Sequence, residues 1–218
     1  MIKNIILDFD GTLADTRGLI VRTMQAVIAS VGLPPRSDEE CASMIGLPLK
    51  ETFTKLIPMD SLTGDECVRL YAEIFMRDNV PGAVPAFEGV AETVEELYAR
   101  GYILTIASSR NRPSLESFLE GLGLMRYIRE IVCVVDVERS KPAPDMVLKI
   151  LNDTSCSPDE AIVIGDTKYD MEMGRSAGVC TCGVTYGNGS REELSSAGAD
   201  FLIDRFPDIL NIDTIASR

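Results

Sequence analysis

The chain opens on an apolar run, Ile2-Lys3-Asn4-Ile5-Ile6-Leu7, of the kind that forms a buried parallel strand. The spacing then becomes helical. Ile20, Met24, Val27, Ile28 and Val31 recur on one face and Gly32 follows as a stop. Ser37-Asp38-Glu39-Glu40 has the form of a capping box and predicts a short helix before Gly46. Leu49 to Ile57 predicts another helix, and Thr63-Gly64-Asp65-Glu66, a second box, predicts one that opens there and runs to about Arg77. Pro and Gly residues between Asn79 and Gly89 break the pattern. Residues 16–80 therefore read as a helical block without a strand.

From Phe87 the pattern alternates. A helix over Val90–Arg100, stopped by Gly101, leads to a strand over Ile103–Ala107 and a helix near Pro113–Leu122. A strand over Ile131–Val135, a helix near Pro144–Leu151 and a strand over Ala161–Ile164 come next. A helix after Asp170, a strand near Val179–Val184, a helix near Glu192–Ala197 and a short strand at Phe201–Ile203 complete the series. Strands that alternate with helices specify a parallel, doubly wound sheet, and the first strand belongs with the later ones. The fold class is α/β, with a Rossmann-like parallel core of residues 1–14 and 83–218 and an inserted all-helical cap of residues 15–82. Gly11 and Asp15 at one crossing, and Pro81-Gly82 at the other, are the expected hinges.

In a parallel sheet the C-terminal strand ends share one edge, where open α/β sheets bind their ligands. Here that edge receives Asp8, Asp10 and Thr12, then Ser108 and Ser109, then Lys141, then Asp166 and Asp170. Asp8 and Asp10 are two residues apart and start on the same side of the strand. Two such anions are tolerated when a cation lies between them or one keeps a proton, and either condition serves phosphoryl transfer. Asp8 is the candidate nucleophile, and Asp10 the general acid and then base. Asp166 is expected to hold Mg²⁺ together with Asp8, because magnesium takes hard oxygen ligands. Asp170, one turn further on, is a candidate for a further ligand or for the support of one. Ser108 is expected to donate to a phosphate oxygen, and Lys141 to neutralise the transferring group and tie down Asp8. The hydroxyls of Thr12 and Ser109 are expected to contact substrate.

Composition narrows the chemistry. The 218 residues carry a net charge of −13, which disfavours nucleic acid and anionic membranes as partners. There is no histidine, which excludes imidazole-based hydrolysis. The six cysteines are scattered, and the spacing of Cys180-Thr181-Cys182 suits neither a usual zinc pair nor a redox dithiol. No stretch is long and apolar enough to span a bilayer and no signal-peptide pattern precedes the first strand, so a cytoplasmic location is expected.

The order of these strand-end residues resembles the haloacid dehalogenase superfamily over essentially the whole chain. Asp8-Phe9-Asp10-Gly11-Thr12-Leu13 looks like its first motif, Ile106-Ala107-Ser108-Ser109 its second, Ser140-Lys141-Pro142 its third and Gly165-Asp166-Thr167 with Asp170 its fourth. The helical block fits the family's cap, and Ile45-Gly46-Leu47-Pro48-Leu49 looks like the cap loop of phosphoglycolate phosphatase-type members. The resemblance implies the roles given above, with the backbone carbonyl of Asp10 rather than its side chain as a metal ligand. It implies a Mg²⁺-dependent phosphatase acting on a small phosphorylated metabolite, as a monomer or small homo-oligomer. Dehalogenases proper lack the second aspartate, so Asp10 argues for phosphate chemistry. Sugar-phosphate mutases share all four motifs and the cap, which leaves a hexose-phosphate mutase as the alternative. A non-catalytic binding subunit is disfavoured by the presence of every catalytic residue type. The second motif ends in Ser109-Arg110, where phosphoglycolate phosphatases more often have Asn-Lys. In the cap loop, Gly46, Leu47 and Lys50 are candidate substrate contacts, Lys50 for a substrate carboxylate or second phosphate.

Overall fold

A computed structural model describes residues 1–80, 82–212 and 215. Six parallel strands form one sheet: β1 (Asn4–Leu7), β2 (Ile103–Ser108), β3 (Ile128–Cys133), β4 (Ala161–Gly165), β5 (Cys180–Val184) and β6 (Phe201–Ile203). Their spatial order is β3-β2-β1-β4-β5-β6, and every pairing is parallel. β1 is central and wholly buried, which explains its unbroken isoleucine-rich run: helices cover both faces of such a sheet.

The helices that follow the later strands are α5 (Val90–Ala99), α6 (Arg112–Gly121), α7 (Asp145–Thr154), α8 (Lys168–Ser176) and α9 (Arg191–Ser196). The block between β1 and α5 holds α1 (Arg17–Val31), α2 (Asp38–Ala42), α3 (Leu49–Leu56) and α4 (Ser61–Asp78). Gly32 ends α1 in the left-handed region at φ 72°, and the Ser37–Glu40 capping box forms as expected. The two chain crossings between the block and the sheet are tied to each other. Asp15 N–H donates to Pro85 O (3.0 Å) and Phe87 N–H to Leu13 O (3.1 Å), so the block hangs on a short antiparallel ladder around Ala14 and Ala86. Of the expected hinge residues, Gly82 is left-handed at φ 83°, and Pro81 lies outside the described residues.

Several local expectations are corrected. α4 starts two residues before Thr63, because Asp60 caps it by accepting from Thr63 N–H at 2.8 Å. α8 starts before Asp170 rather than after it. Thr167 is its N-cap and Asp170 the third residue of its capping box. β3 begins at Ile128, three residues earlier than the apolar pattern suggests. It is an edge strand, and its first half (Ile128, Arg129, Glu130) meets solvent, so polar residues are tolerated there. No helix among the described residues is long and apolar enough to cross a membrane.

Candidate active site

The C-terminal ends of β1, β2 and β4 converge, and the predicted acids arrive with them. Asp8 follows β1 directly, its N–H still in the ladder to Ile164 O of β4 (2.9 Å). Asp166 follows β4, and Asp170 sits in the first turn of α8. One carboxylate oxygen from each of Asp8, Asp166 and Asp170 lies within 4.8 Å of the others, and all three residues are buried. Lys141, whose side chain is fully buried, donates from Nζ to Asp8 Oδ1 and to Asp170 Oδ1, the latter at 2.6 Å. Asp170 Oδ2 also accepts from Thr167 N (3.0 Å) and Oγ1 (2.6 Å).

Asp166 is the most enclosed of the acids. Its Oδ2 accepts from the backbone and side-chain nitrogens of Asn188 (2.7 and 2.8 Å) and its Oδ1 from Thr12 Oγ1 (3.3 Å). The chain approaches so closely here that a Cβ on Gly11 would lie 2.1 Å from Asp166 Oδ2, and Gly11 is also left-handed at φ +91°. Any larger residue at Gly11 meets both steric obstacles at once.

Charge is unbalanced in this cluster. Three carboxylates face one ammonium. Burial pushes the Asp8 carboxyl well above its ordinary value, Lys141 opposes that, and Asp170, Asp166 and Asp10 reinforce it. Burial, then Asp170, push Asp166 up to about 7, against the Asn188 donors and Lys141. Burial alone would lower Lys141, but the charges of Asp170 and Asp8 outweigh it and hold the ammonium above the usual lysine range. The donor set, hard oxygens with a surplus of negative charge, fits a hard divalent cation.

Asp10 is set apart from the cluster. Both its oxygens accept from Arg110, Oδ2 from Nε at 3.1 Å and Oδ1 from Nη2. The guanidinium lies over Phe9, Phe75 and Phe118, at 5.9, 5.0 and 4.9 Å from the ring centroids. Asp8, Asp10, Ser108 and Ser109 all open onto one cavity of about 560 Å³ beneath the helical block, which Gly46 and Leu47 also line. Ser109 Oγ donates to Gly46 O at 2.7 Å, so the cap loop is seated on the sheet edge.

Two expected substrate contacts are corrected. Lys50 is turned away: α3 starts at Leu49, and one residue further on a helix points about 100° round the axis. Its Nζ donates to Ser61 Oγ (2.9 Å) and Asp65 Oδ1 (2.6 Å) on the exposed side of α4. Thr12 is fully buried, and its hydroxyl holds Asp166 rather than facing the cavity. Asn188 is not among the residues expected from the sequence, and Arg110 figures there only as a departure at the end of the second motif. The signal for Asn188 was present in Gly187-Asn188-Gly189 just after β5, since paired glycines beside a strand end mark a close backbone approach. Arg110 carried no signal beyond its place next to Ser109.

A parallel α/β sheet with an inserted helical block gathers four aspartates at and just beyond its central strand ends, a centre built on carboxylates. The chain belongs to the haloacid dehalogenase-like hydrolase family, whose model matches residues 5–184. The pyrophosphatase PpaX of Bacillus velezensis is 31% identical over 208 residues, covering 95% of this chain and 94% of that protein. PpaX of Anoxybacillus flavithermus is 29% identical over 217 residues, covering 100% and 99%. Among solved structures, a hydrolase from Pseudomonas syringae superposes with a TM-score of 0.87 at 25% identity, over 96% of each chain. CbbY from Rhodobacter sphaeroides, solved in complex with phosphate, shares the fold with a TM-score of 0.82 at 23% identity, again over 96% of each. Family and relatives together place the chain among phosphatases.

Proposed function

We propose that this phosphatase is Mg²⁺-dependent and hydrolyses a small phosphorylated metabolite through an aspartyl-phosphate on Asp8. The observation that supports the reading best is the surplus of buried negative charge, three carboxylates against one lysine, at the strand ends where Asp8 reaches the cavity. Asp8, Asp166 and the backbone carbonyl of Asp10 would hold the ion, with Asp170 beside them. Bound there, Mg²⁺ would supply positive charge to the carboxylates and to the phosphoryl oxygens.

This chain's own groups carry the two chemical steps. In the first, a carboxylate oxygen of Asp8 attacks phosphorus. The bond from phosphorus to the ester oxygen breaks, and the leaving oxygen takes a proton from Asp10. In the second, water attacks the same phosphorus and gives a proton to Asp10. The bond to Asp8 breaks, which frees phosphate and restores both aspartates. Arg110 holds both oxygens of Asp10; one oxygen must leave the guanidinium to deliver a proton, while the other keeps Arg110 paired. Ser108 donates its hydroxyl to a phosphoryl oxygen, and Lys141 orients Asp8 for attack. Residues 1–14 and 83–218 form the catalytic core, and residues 15–82 the cap that excludes water while the first step proceeds.

The test is phosphate release from a panel of small phosphate esters after dialysis against EDTA. Activity should be lost on chelation and return with Mg²⁺. Full activity after exhaustive chelation would remove the metal from the mechanism.

The same surplus has a pH signature in protein stripped of divalent cations. The folded-state pKa of Asp166, about 7, lies above the ordinary 3.8. The folded state therefore binds the extra proton between these values, and the contribution of Asp166 to stability is present below pH 4 and lost as pH rises towards 7. Compared with Asp166→Asn, the chelated wild type should lose thermal stability over that window. Parallel curves for the two proteins would show that Asp166 does not titrate there.

A further inference from the structure

The charged groups that line the cavity are Asp8, Asp10 and Arg110, at the strand ends. The helical block lines it mainly with apolar groups, Ile20, Met24, Leu47, Leu49, Phe75 and the ring of Tyr71, with Thr52 and Asn79 among them. Tyr71 and Phe75 are stacked, with ring centroids 5.5 Å apart. Met76, also on the lining, is 79% exposed, so apolar surface continues outward from the cavity.

The polar groups in the lining are mostly engaged. Thr52 donates to the carbonyls of Met44 and Leu47 (3.3 and 3.4 Å). Ser109 donates to Gly46, and Asn111 caps α6 by accepting from Ser114 N–H (3.0 Å). Among the described residues, the one cation in the lining is Arg110. Its guanidinium is taken by Asp10 and by Ser114 Oγ (3.0 Å), with three aromatic rings around it. Lys50, the residue best placed by sequence to meet a second anion, is bound to Asp65 outside the cavity. A carboxylate or second phosphate on the leaving group would thus be stripped of water beside a mainly apolar wall whose one cation among the described residues, Arg110, is already paired, which is costly. An apolar group would gain from the same burial. The volume, about 560 Å³, falls in the range of about 300–1,000 Å³ that encloses a drug-sized ligand.

We infer that the preferred substrate is a phosphate monoester whose leaving alcohol is uncharged and mainly apolar, of aromatic or medium alkyl size. This rests on the phosphatase reading above, and it diverges from the pyrophosphate named for the PpaX relatives. The floor provides the phosphoryl chemistry, and the cap wall selects what the phosphoryl group is attached to.

The experiment uses the intact wild-type chain with Mg²⁺ and measures kcat/KM by phosphate release. One series is ethyl, butyl, hexyl and octyl phosphate, whose leaving groups are chemically matched. A matched pair is benzyl phosphate and 4-carboxybenzyl phosphate, with phosphoglycolate and pyrophosphate alongside. p-Nitrophenyl phosphate reports the basal chemistry. Along the alkyl series kcat/KM should rise by up to about fourfold per buried methylene. Benzyl phosphate should exceed its carboxylated partner by at least about tenfold, one factor of ten for each 1.4 kcal/mol of unpaired anion. A flat alkyl series, a carboxylated ester that matches or beats benzyl, or pyrophosphate as the best substrate would overturn the inference. With p-nitrophenyl phosphate still turned over, those results would leave the phosphatase reading standing. Failure of every ester, p-nitrophenyl phosphate included, would sink both.

Discussion

Asp8→Asn should lower phosphate release by at least ~10³-fold, in line with the loss of a catalytic nucleophile, while the fold is kept. The change replaces one carboxylate oxygen by an amide nitrogen at nearly constant volume. The remaining oxygen can still accept from Lys141, so packing around the lysine survives. What is lost is the attacking anion. The electrostatics add a second, opposite expectation. Burial and the neighbouring acids make the ionised Asp8 unfavourable in the folded protein, so a neutral amide there removes a cost. In EDTA the variant should unfold at a temperature no lower than that of wild type, although it is catalytically dead. Mass spectrometry of wild type quenched during turnover should find phosphate on the Asp8 peptide, and the variant should carry none. Activity within tenfold of wild type would exclude Asp8 as the nucleophile.

The legible parts of this molecule were those fixed by short-range pattern. The run ahead of Asp8 has the pattern of a strand buried on both faces, and the acids follow strand ends in a set order. Asp8, Asp166, Asp170 and Lys141 are thereby expected at one edge, and the structure brings them into one cluster. What escaped was direction. A residue's neighbours in sequence do not reveal which way its side chain turns once a helix has started, and Lys50 was misplaced for that reason. Thr12 was misjudged because the turn after Gly11 carries its hydroxyl under Asp166, a contact 154 residues away in sequence. Arg110 was invisible as a partner of Asp10 because the pair is assembled by three aromatic residues from separate elements, Phe9, Phe75 and Phe118. Helix starts also moved wherever a better cap lay nearby, as Asp60 did for α4.

Replacing Lys141 separates two duties that the wild-type lysine combines. Lys141→Met keeps the length and the apolar stem and removes the ammonium, which leaves Asp8, Asp166 and Asp170 in a buried cluster without a compensating charge. Breaking a buried pair by deleting one partner destabilises by about 3–5 kcal/mol, and chelated Lys141→Met should show a loss of that order in denaturant unfolding. On the proposed reading Mg²⁺ binds the native cluster and not the unfolded chain, so it should restore stability by mass action. It should restore more in the variant than in wild type, because the site then carries one more uncompensated negative charge. Turnover should not follow. With Mg²⁺ saturating, kcat should remain ~10²–10³-fold low, the usual effect of removing one group that stabilises transferring charge. The ion replaces the missing charge but not the two hydrogen bonds by which Nζ fixes Asp8 against Asp170. If Mg²⁺ brought back stability and turnover together, Lys141 would be a counter-ion only, and orientation of the nucleophile would have to come from the metal. If neither returned, the deletion would have disrupted the strand-end geometry itself, which the unfolding cooperativity of the Mg²⁺-loaded variant would register.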